Sequence, residues 1–481
     1  MGCVDDYSSK YNSLDYNILR GDNMEFVDRE EELKYLNEEY KRPGSAFIVI
    51  YGRRRIGKTR LIKEFMRDKN GVYFLATEED EKDNLRFFQE ILYEKLAIPL
   101  LAPGKNLTWY DLFYILKNTR FKEKFVVAID EFQYLVRKNS SITSVFQKIW
   151  DELLKDENFF LILCGSSLSL MEKEVLSYSS PLYGRRTGQI KLKPISFEDF
   201  KKVYNESALN PVELYSLVGG VPKYMELLSV EGDIYRTIER NFLNTNSFFF
   251  EEPYFLLGQE VKEIGTYFSL MKTIAMGNRK LGKIATIMEV AQHKLSYYLS
   301  RLVDIDLLER EVPVTERSPE KSKSGLYRIK DYFLDFWFKY VYPYRSYIEI
   351  GQTGFVIDMV KKTFKEKHVS FVYEDICREK VLKMNLKGEL PVVASRVGRW
   401  WNGKDEIDIV GVDAENRVVL LGECKYTGSQ ADVDLYYKLV EKSRKLNVIE
   451  RPLYIFYSLS GFTKDFVRKA KEENVLLFEG Y

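Results

Sequence analysis

The 481-residue chain has few of the side chains that most often bind metals or act as nucleophiles. Its two histidines, His293 and His368, argue against His-based nucleophilic or zinc catalysis. Four cysteines, Cys3, Cys164, Cys377 and Cys424, lie far apart without a CxxC pair, which excludes a zinc ribbon and a disulfide framework. Net charge is also lacking. With 73 Lys and Arg against 72 Asp and Glu the balance is +1, so any contact with nucleic acid must come from local patches. No apolar run approaches the ~18 residues of a membrane span. The opening MGCVDDYSSKY has no hydrophobic signal core, and Asp6 stands where myristoylation wants Ser or Thr. A cytoplasmic protein without membrane association is expected, with carboxylates and lysines carrying its chemistry.

What is present begins with FVDREEELKYLNEEY, where Asp28 followed by Glu31 predicts a helix N-cap with a capping box. The strand Phe47 to Tyr51 then runs into Gly52-x-x-x-x-Gly57-Lys58-Thr59 and an amphipathic helix, a P-loop in strand-loop-helix context. The loop from Gly52 through Arg53, Arg54, Arg55, Ile56 and Gly57 brings backbone N–H groups to the phosphates, and Arg60 lies in the helix's first turn. Lys58 would reach the β and γ oxygens, and Thr59 would offer its hydroxyl to Mg²⁺. A second apolar strand, Phe125 to Ile129, ends in Asp130-Glu131. One carboxylate is expected in the metal shell and the other on the attacking water. A third strand from Phe159 ends in Gly165-Ser166-Ser167, where Ser166 is placed to sense the γ-phosphate. Arg185 and Arg186 follow on a turn, either of them a candidate finger on transition-state charge or a surface arginine.

The series FVDREEEL, GRRRIGKT, VVAIDEF, LCGSS, LYGRR and Gly219-Gly220-Val221-Pro222 resembles the archaeal ATPase family of AAA+/STAND-type P-loop proteins. The resemblance implies a parallel αβα core, a helical lid, adenine held near Phe26, Val27 and Arg29, and Pro222 facing the nucleotide.

From Tyr267 to Tyr344 short helices, a strand, a polar stretch TERSPEKSKSG and a return strand follow the order of a winged helix. Its recognition helix is expected over His293 to Asp304, with Lys294, Ser296, Tyr297 and Arg301 facing a DNA groove. A regulatory module packed on the core is the alternative. The aromatic run Tyr332, Phe333, Phe336, Trp337, Phe338 reads as core.

Near the C-terminus, the turn Asp413-Ala414-Glu415-Asn416 separates two strand-like runs. Pairing Val412 with Arg417 sets Asp408 opposite Leu421 and diagonal to Glu423, on one face with Lys425. Two carboxylates there would converge on one metal ion, Mg²⁺ or alternatively Mn²⁺, with Lys425 on the water. These residues look like the D…(D/E)xK signature of the restriction-endonuclease-like, PD-(D/E)XK nuclease superfamily, although Ile407 replaces the usual proline. The resemblance adds Glu374 as a further ligand. Trp400 and Trp401 are candidates for base stacking or for core and edge roles, and the lysines of YYKLVEKSRKLNV for a phosphate backbone or a solvated face.

The expected class is therefore α/β. It comprises an N-terminal extension (1–24), a P-loop ATPase core (25–200), a helical lid (201–262), a winged helix (263–345) and a restriction-endonuclease-like domain (346–481). The expected function is a P-loop ATPase coupled to a metal-dependent DNA nuclease, with ATP/ADP and DNA as partners. The alternative is a STAND-like switch whose C-terminal domain binds a partner without cutting. An arginine finger acting across subunits would require a homo-oligomer, and one acting within the chain would not.

Overall fold

The computed structural model describes residues 28–473 and 475–481, so Phe26 and Val27 lie outside the described residues. By their internal contacts, the described residues fall into two compact units. One runs to Ser166 and adds Leu170–Glu206 and Gly220–Glu226. The other takes Ser167–Ser169, Ser207–Gly219 and Leu227–Tyr481.

The first unit is built on a five-stranded sheet in the order β2-β3-β4-β1-β5, with β1 Ala46–Tyr51, β2 Gly71–Leu75, β3 Phe125–Asp130, β4 Phe159–Gly165 and β5 Gly188–Lys191. Every pairing is parallel. The three central strands are buried along their whole length, as expected of a sheet covered on both faces. Leu61, Ile62 and Phe65 of the helix Lys58–Met66 pack into the same core as Ile48 and Ile50. This anchors the P-loop at both ends.

The capping box expected at Asp28 does not form. The helix starts at Glu30, its N-cap Arg29 holds φ 115°, and no side chain caps it. The Asp28 carboxylate instead accepts from the Arg29 N–H at 2.9 Å. The cause is long range: the buried Arg29 guanidinium donates to the carbonyls of Lys193 at 2.6 Å and Ile56 at 3.4 Å, which fixes the backbone in a turn no cap requires.

In the second unit a helical region leads to the helices Leu281–Met288 and Gln292–Asp304, then to an antiparallel pair, β6 Leu308–Glu311 and β7 Leu326–Ile329. Phe333, Phe336, Trp337 and Phe338 are fully buried, in agreement with the core reading of that run. A mixed sheet of order β12-β11-β10-β9-β8 closes the chain, with β8 Arg396–Trp401, β9 Glu406–Val412, β10 Val418–Lys425, β11 Val448–Ser458 and β12 Leu476–Glu479. Strand β9 is antiparallel to its neighbours β8 and β10, while β11 and β12 run parallel to β10.

The β9–β10 register differs from expectation. Val412 pairs with Val418 rather than Arg417, and an irregularity between Val418 and Leu420 shifts the ladder so that Leu421 faces Val410 and Gly422 faces Ile409. Continued by one residue, Asp408 stands opposite Glu423 and not Leu421. A bulge adds a residue that the two-strand count from the turn does not see.

The loop between β6 and β7 lies along β8. The Val314 N–H donates to the Arg399 carbonyl at 2.9 Å, the Trp401 indole to that of Ser324 at 3.1 Å, and Arg396 to that of Glu316 at 3.0 Å.

Candidate functional site

In the parallel-sheet unit the P-loop turns at Arg55 (φ 72°) and Gly57 (φ 88°). A Cβ on Gly52 would lie 2.5 Å from the Ile56 side chain and 2.6 Å from the Leu192 carbonyl, so glycine is required there by space. The buried Lys58 ammonium donates to the Gly52 and Arg53 carbonyls at 2.9 and 2.8 Å. Burial pulls its pKa below the usual lysine range. A desolvated cation held by backbone dipoles at a helix N-terminus suits an incoming phosphate. Pro222 sits beside Gly57, and the Lys223 N–H donates to the Arg55 carbonyl at 3.3 Å, which puts the Gly-x-Pro segment against the loop. Gly220 has its own steric reason: a Cβ there would meet the Ile195 carbonyl at 1.8 Å.

Asp130 is fully buried. Its Oδ2 accepts from the Thr59 hydroxyl at 2.6 Å and from the Tyr73 hydroxyl at 2.9 Å. Thr59 and Asp130 thus meet where a magnesium shell would need them. Glu131 holds φ 55°, unusual for a non-glycine residue and a form of strain typical of functional sites. Its carboxylate accepts from the Ser166 hydroxyl at 2.6 Å and from the Gln133 amide. Gln133 also accepts from the Ser166 N–H at 3.2 Å, so it ties the tip of β3 to the tip of β4. Sequence reading missed Gln133 and Tyr73, although Gln133 lies three residues past Asp130.

The two arginines differ. Arg185 grips Asp151 through Nε and Nη2 at 2.9 Å each and donates to the Pro181 and Tyr183 carbonyls, so its fork is committed. Arg186 donates to the Leu176 carbonyl at 3.3 Å and lies over the Tyr183 ring. Arg53, Arg54 and Arg55 lie within the loop and Arg60 in the first turn of the helix that follows it, Arg54 donating to the Tyr134 hydroxyl at 3.0 Å.

In the mixed sheet Asp408 and Glu423 are both buried, on one face of neighbouring strands. Asp408 accepts from the Cys424 N–H at 3.0 Å. Glu423 meets the ammonium groups of Lys442 at 2.6 Å and Lys425 at 3.5 Å. Burial raises the Glu423 pKa, and the Asp408 charge adds to the rise. Burial opposes the charge on Lys425, yet the Glu423 and Asp408 carboxylates hold its pKa above the usual lysine value. Glu374, on the helix Ser370–Leu386, is pushed up to about 8 by burial and then by Asp408. Its Oε2 accepts no hydrogen bond among the described residues, with the Arg399 guanidinium at 3.5 Å. Among the described residues no group of three or more His, Cys, Asp or Glu side chains is arranged to hold a metal ion. Asp408 and Glu423 are two buried neighbouring carboxylates, a like-charge pair that a further cation would relieve. Lys442 and the bridging Arg399 were not singled out from sequence, since both arrive from distant elements.

On the helix Gln292–Asp304, Lys294, Ser296 and Tyr297 are exposed, whereas Arg301 donates to the Glu260 carbonyl at 3.0 Å and is drawn away from any groove. Trp400 is buried in the core of the mixed sheet rather than presented for stacking. No helix of the described residues is long and apolar enough to cross a membrane.

Residues 26–228 match the model of an ATPase domain found predominantly in Archaea, and residues 337–435 that of archaeal and bacterial proteins of unknown function. An uncharacterised protein of Methanocaldococcus jannaschii is 36% identical over 423 residues, spanning 88% of this chain and 92% of its own. The chain belongs to this archaeal ATPase family. Another uncharacterised protein of the same organism is 54% identical over 93 residues, 19% of this chain and 89% of its own. Among solved structures, a Walker-type ATPase of Pyrococcus abyssi superposes with a TM-score of 0.51 at 22% identity, covering 66% of this chain and 97% of that one. That similarity concerns the fold. The family accounts for ATP as ligand and for the P-loop sheet, and it leaves the chemistry of the mixed sheet open.

Proposed function

We propose that this P-loop ATPase carries, in its C-terminal mixed-sheet domain, a restriction-endonuclease-like, divalent-metal-dependent nuclease acting on DNA, and that ATP binding and hydrolysis control its engagement. The observation that carries the nuclease half is that Asp408 and Glu423, each next to the last β9–β10 pair Ile409–Gly422, are both buried, with Lys425 two residues further along β10.

At the nucleotide, Lys58 turns from its loop carbonyls to the β and γ oxygens, and Pro222 closes over the loop beside Gly57. Thr59 and Asp130 hold Mg²⁺, which supplies charge neutralisation to the phosphates. Glu131 exchanges its bond from Ser166 for one from the attacking water and takes that water's proton, while Ser166 turns to the γ-phosphate. Arg186, less committed than Arg185, is the finger on the transition-state charge. At the nuclease centre Asp408 and Glu423 hold a divalent ion, Mg²⁺ or Mn²⁺, whose Lewis acidity assists phosphodiester hydrolysis. Lys425 orients the water. The helices and hairpin over 281–329 act as a winged helix, with Lys294, Ser296 and Tyr297 toward DNA.

One observation favours the second reading, a STAND-like switch whose C-terminal domain only binds a partner: the Lys442 ammonium already neutralises Glu423. Incubation with single-stranded, duplex and branched DNA, with Mg²⁺ or Mn²⁺ and with or without ATP, separates the two. Metal-dependent cleavage lost in Asp408→Ala is the expected result. No cleavage of any substrate overturns the nuclease half and leaves the switch.

A further inference from the structure

Two lysines address one carboxylate at the Asp408–Glu423 pair, and they do so differently. Lys425 is the next residue on the same face of β10, lies 3.5 Å from Oε2, and is the more exposed of the two. Lys442 comes from the last turn of the helix Asp434–Ser443, reaches the other oxygen, Oε1, at 2.6 Å, and also donates to the Glu406 carbonyl at 2.8 Å. The same helix end is pinned to the β8–β9 turn by Lys445, which pairs with Asp405 at 2.6 Å. Lys442 is therefore delivered by a tethered element to the oxygen of Glu423 that Lys425 does not contact.

We propose that Lys442 is an internal counter-ion that competes with the divalent metal for Glu423 and so sets the threshold at which the centre is loaded. This rests on the nuclease reading of the C-terminal domain. A buried carboxylate beside a like charge needs a cation, and in this arrangement the chain provides its own. A divalent ion held by Asp408 and Glu423 would take Oε1 in place of the Lys442 ammonium. The Glu406 carbonyl retains it at the site, so the displaced charge stays within reach of a phosphate oxygen. Lys442 is a positioning residue: its departure from Glu423 is coupled to metal arrival, and the helix tether limits how far it goes. A lysine with only a structural role would show the opposite sign, since removing it would loosen the site and weaken metal binding.

The test is Mn²⁺ binding to the full-length protein, followed by calorimetry and by the electron paramagnetic resonance signal of free Mn²⁺. Lys442→Gln and Lys442→Met are compared with the unmodified chain and with Glu423→Gln, and thermal melts check that each is folded. The proposal expects the two Lys442 variants to bind Mn²⁺ about tenfold more tightly, equivalent to ~1.4 kcal/mol, and to reach half-maximal DNA cleavage at correspondingly lower metal. Equal or weaker binding by both folded variants overturns it. If the unmodified chain binds no Mn²⁺ beyond what Glu423→Gln binds, it is the nuclease reading itself that fails. Binding unchanged in the Lys442 variants but lost in Glu423→Gln rejects the counter-ion role alone.

Discussion

Lys58 in the parallel sheet and the Lys425–Lys442 pair in the mixed sheet are lysines set among carboxylates, and they spend their donors on different partners. The Lys58 ammonium donates to two carbonyls of its own loop, and the nearby Asp130 carboxylate is engaged by two hydroxyls rather than by Lys58. Lys425 and Lys442 both address Glu423, so their charge is consumed by acids that are themselves crowded. In the first, the lysine ammonium rests on carbonyl dipoles. In the second, Glu423 already meets two ammonium groups. The same residue types are thus differently wired in the two units: carbonyls hold the lysine in one, and a carboxylate holds the lysines in the other.

The comparison can be broken at its strongest point by Lys58→Ala, which should lower ATP turnover by about a hundredfold or more. It should leave metal-dependent DNA cleavage in the absence of ATP unaffected, as read by a phosphate-release assay beside a cleavage gel. Conversely, Asp408→Ala should abolish cleavage while ATP turnover stays within about twofold, the size of a change that leaves the transition state untouched. Loss of both activities in either variant would mean that the two sites are not separately wired.

A third prediction sharpens the electrostatic contrast. Because its pKa is raised to about 8, Glu374 binds a proton more tightly in the folded chain than in the unfolded one. The native state therefore holds the extra proton between the ordinary glutamate value and about 8, and stability falls as pH climbs through that window. Glu374→Gln removes this loss. Its unfolding free energy should match that of the unmodified protein near pH 4, below the window, and exceed it at pH 9 by an amount on the order of 1–3 kcal/mol, read from denaturant unfolding at the two pH values. A constant difference across pH would remove Glu374 from the acid cluster. The smallest effect is expected for Arg185→Ala, whose partly exposed pair with Asp151 contributes ~0.5 kcal/mol to stability and nothing to turnover. A large fall in turnover there would transfer the finger role from Arg186 to Arg185.

The two sites also differ in how far they could be read from sequence. A phosphate cradle is made by consecutive residues, so GRRRIGKT states its own geometry, and the apolar strands that flank it are short and uninterrupted. The Thr59–Asp130 contact follows because strand β3 lies one strand away from β1 in the same parallel sheet. The C-terminal site depends on register. A turn one residue longer than expected, closing with Val412 on Val418, and an irregularity between Val418 and Leu420 together shift the register by two residues, and no turn signal announces the second. Lys442, Glu374 and Arg399 meet the acids only after distant elements have packed. Asp28 shows the same limit on a smaller scale: its capping pattern is intact in sequence, and the burial of the Arg29 side chain overrides it.

The loop between β6 and β7 has a practical consequence. Strand β8 is the last in its sheet, and its outward N–H and C=O groups would form a template for pairing with other chains. Val314, Glu316 and Ser324 cover that rim from a stretch of sequence about eighty residues earlier. A fragment begun at residue 346 would expose it, with Trp401 alongside, and should aggregate on expression. A fragment begun ahead of β6 keeps its cover and should remain dispersed.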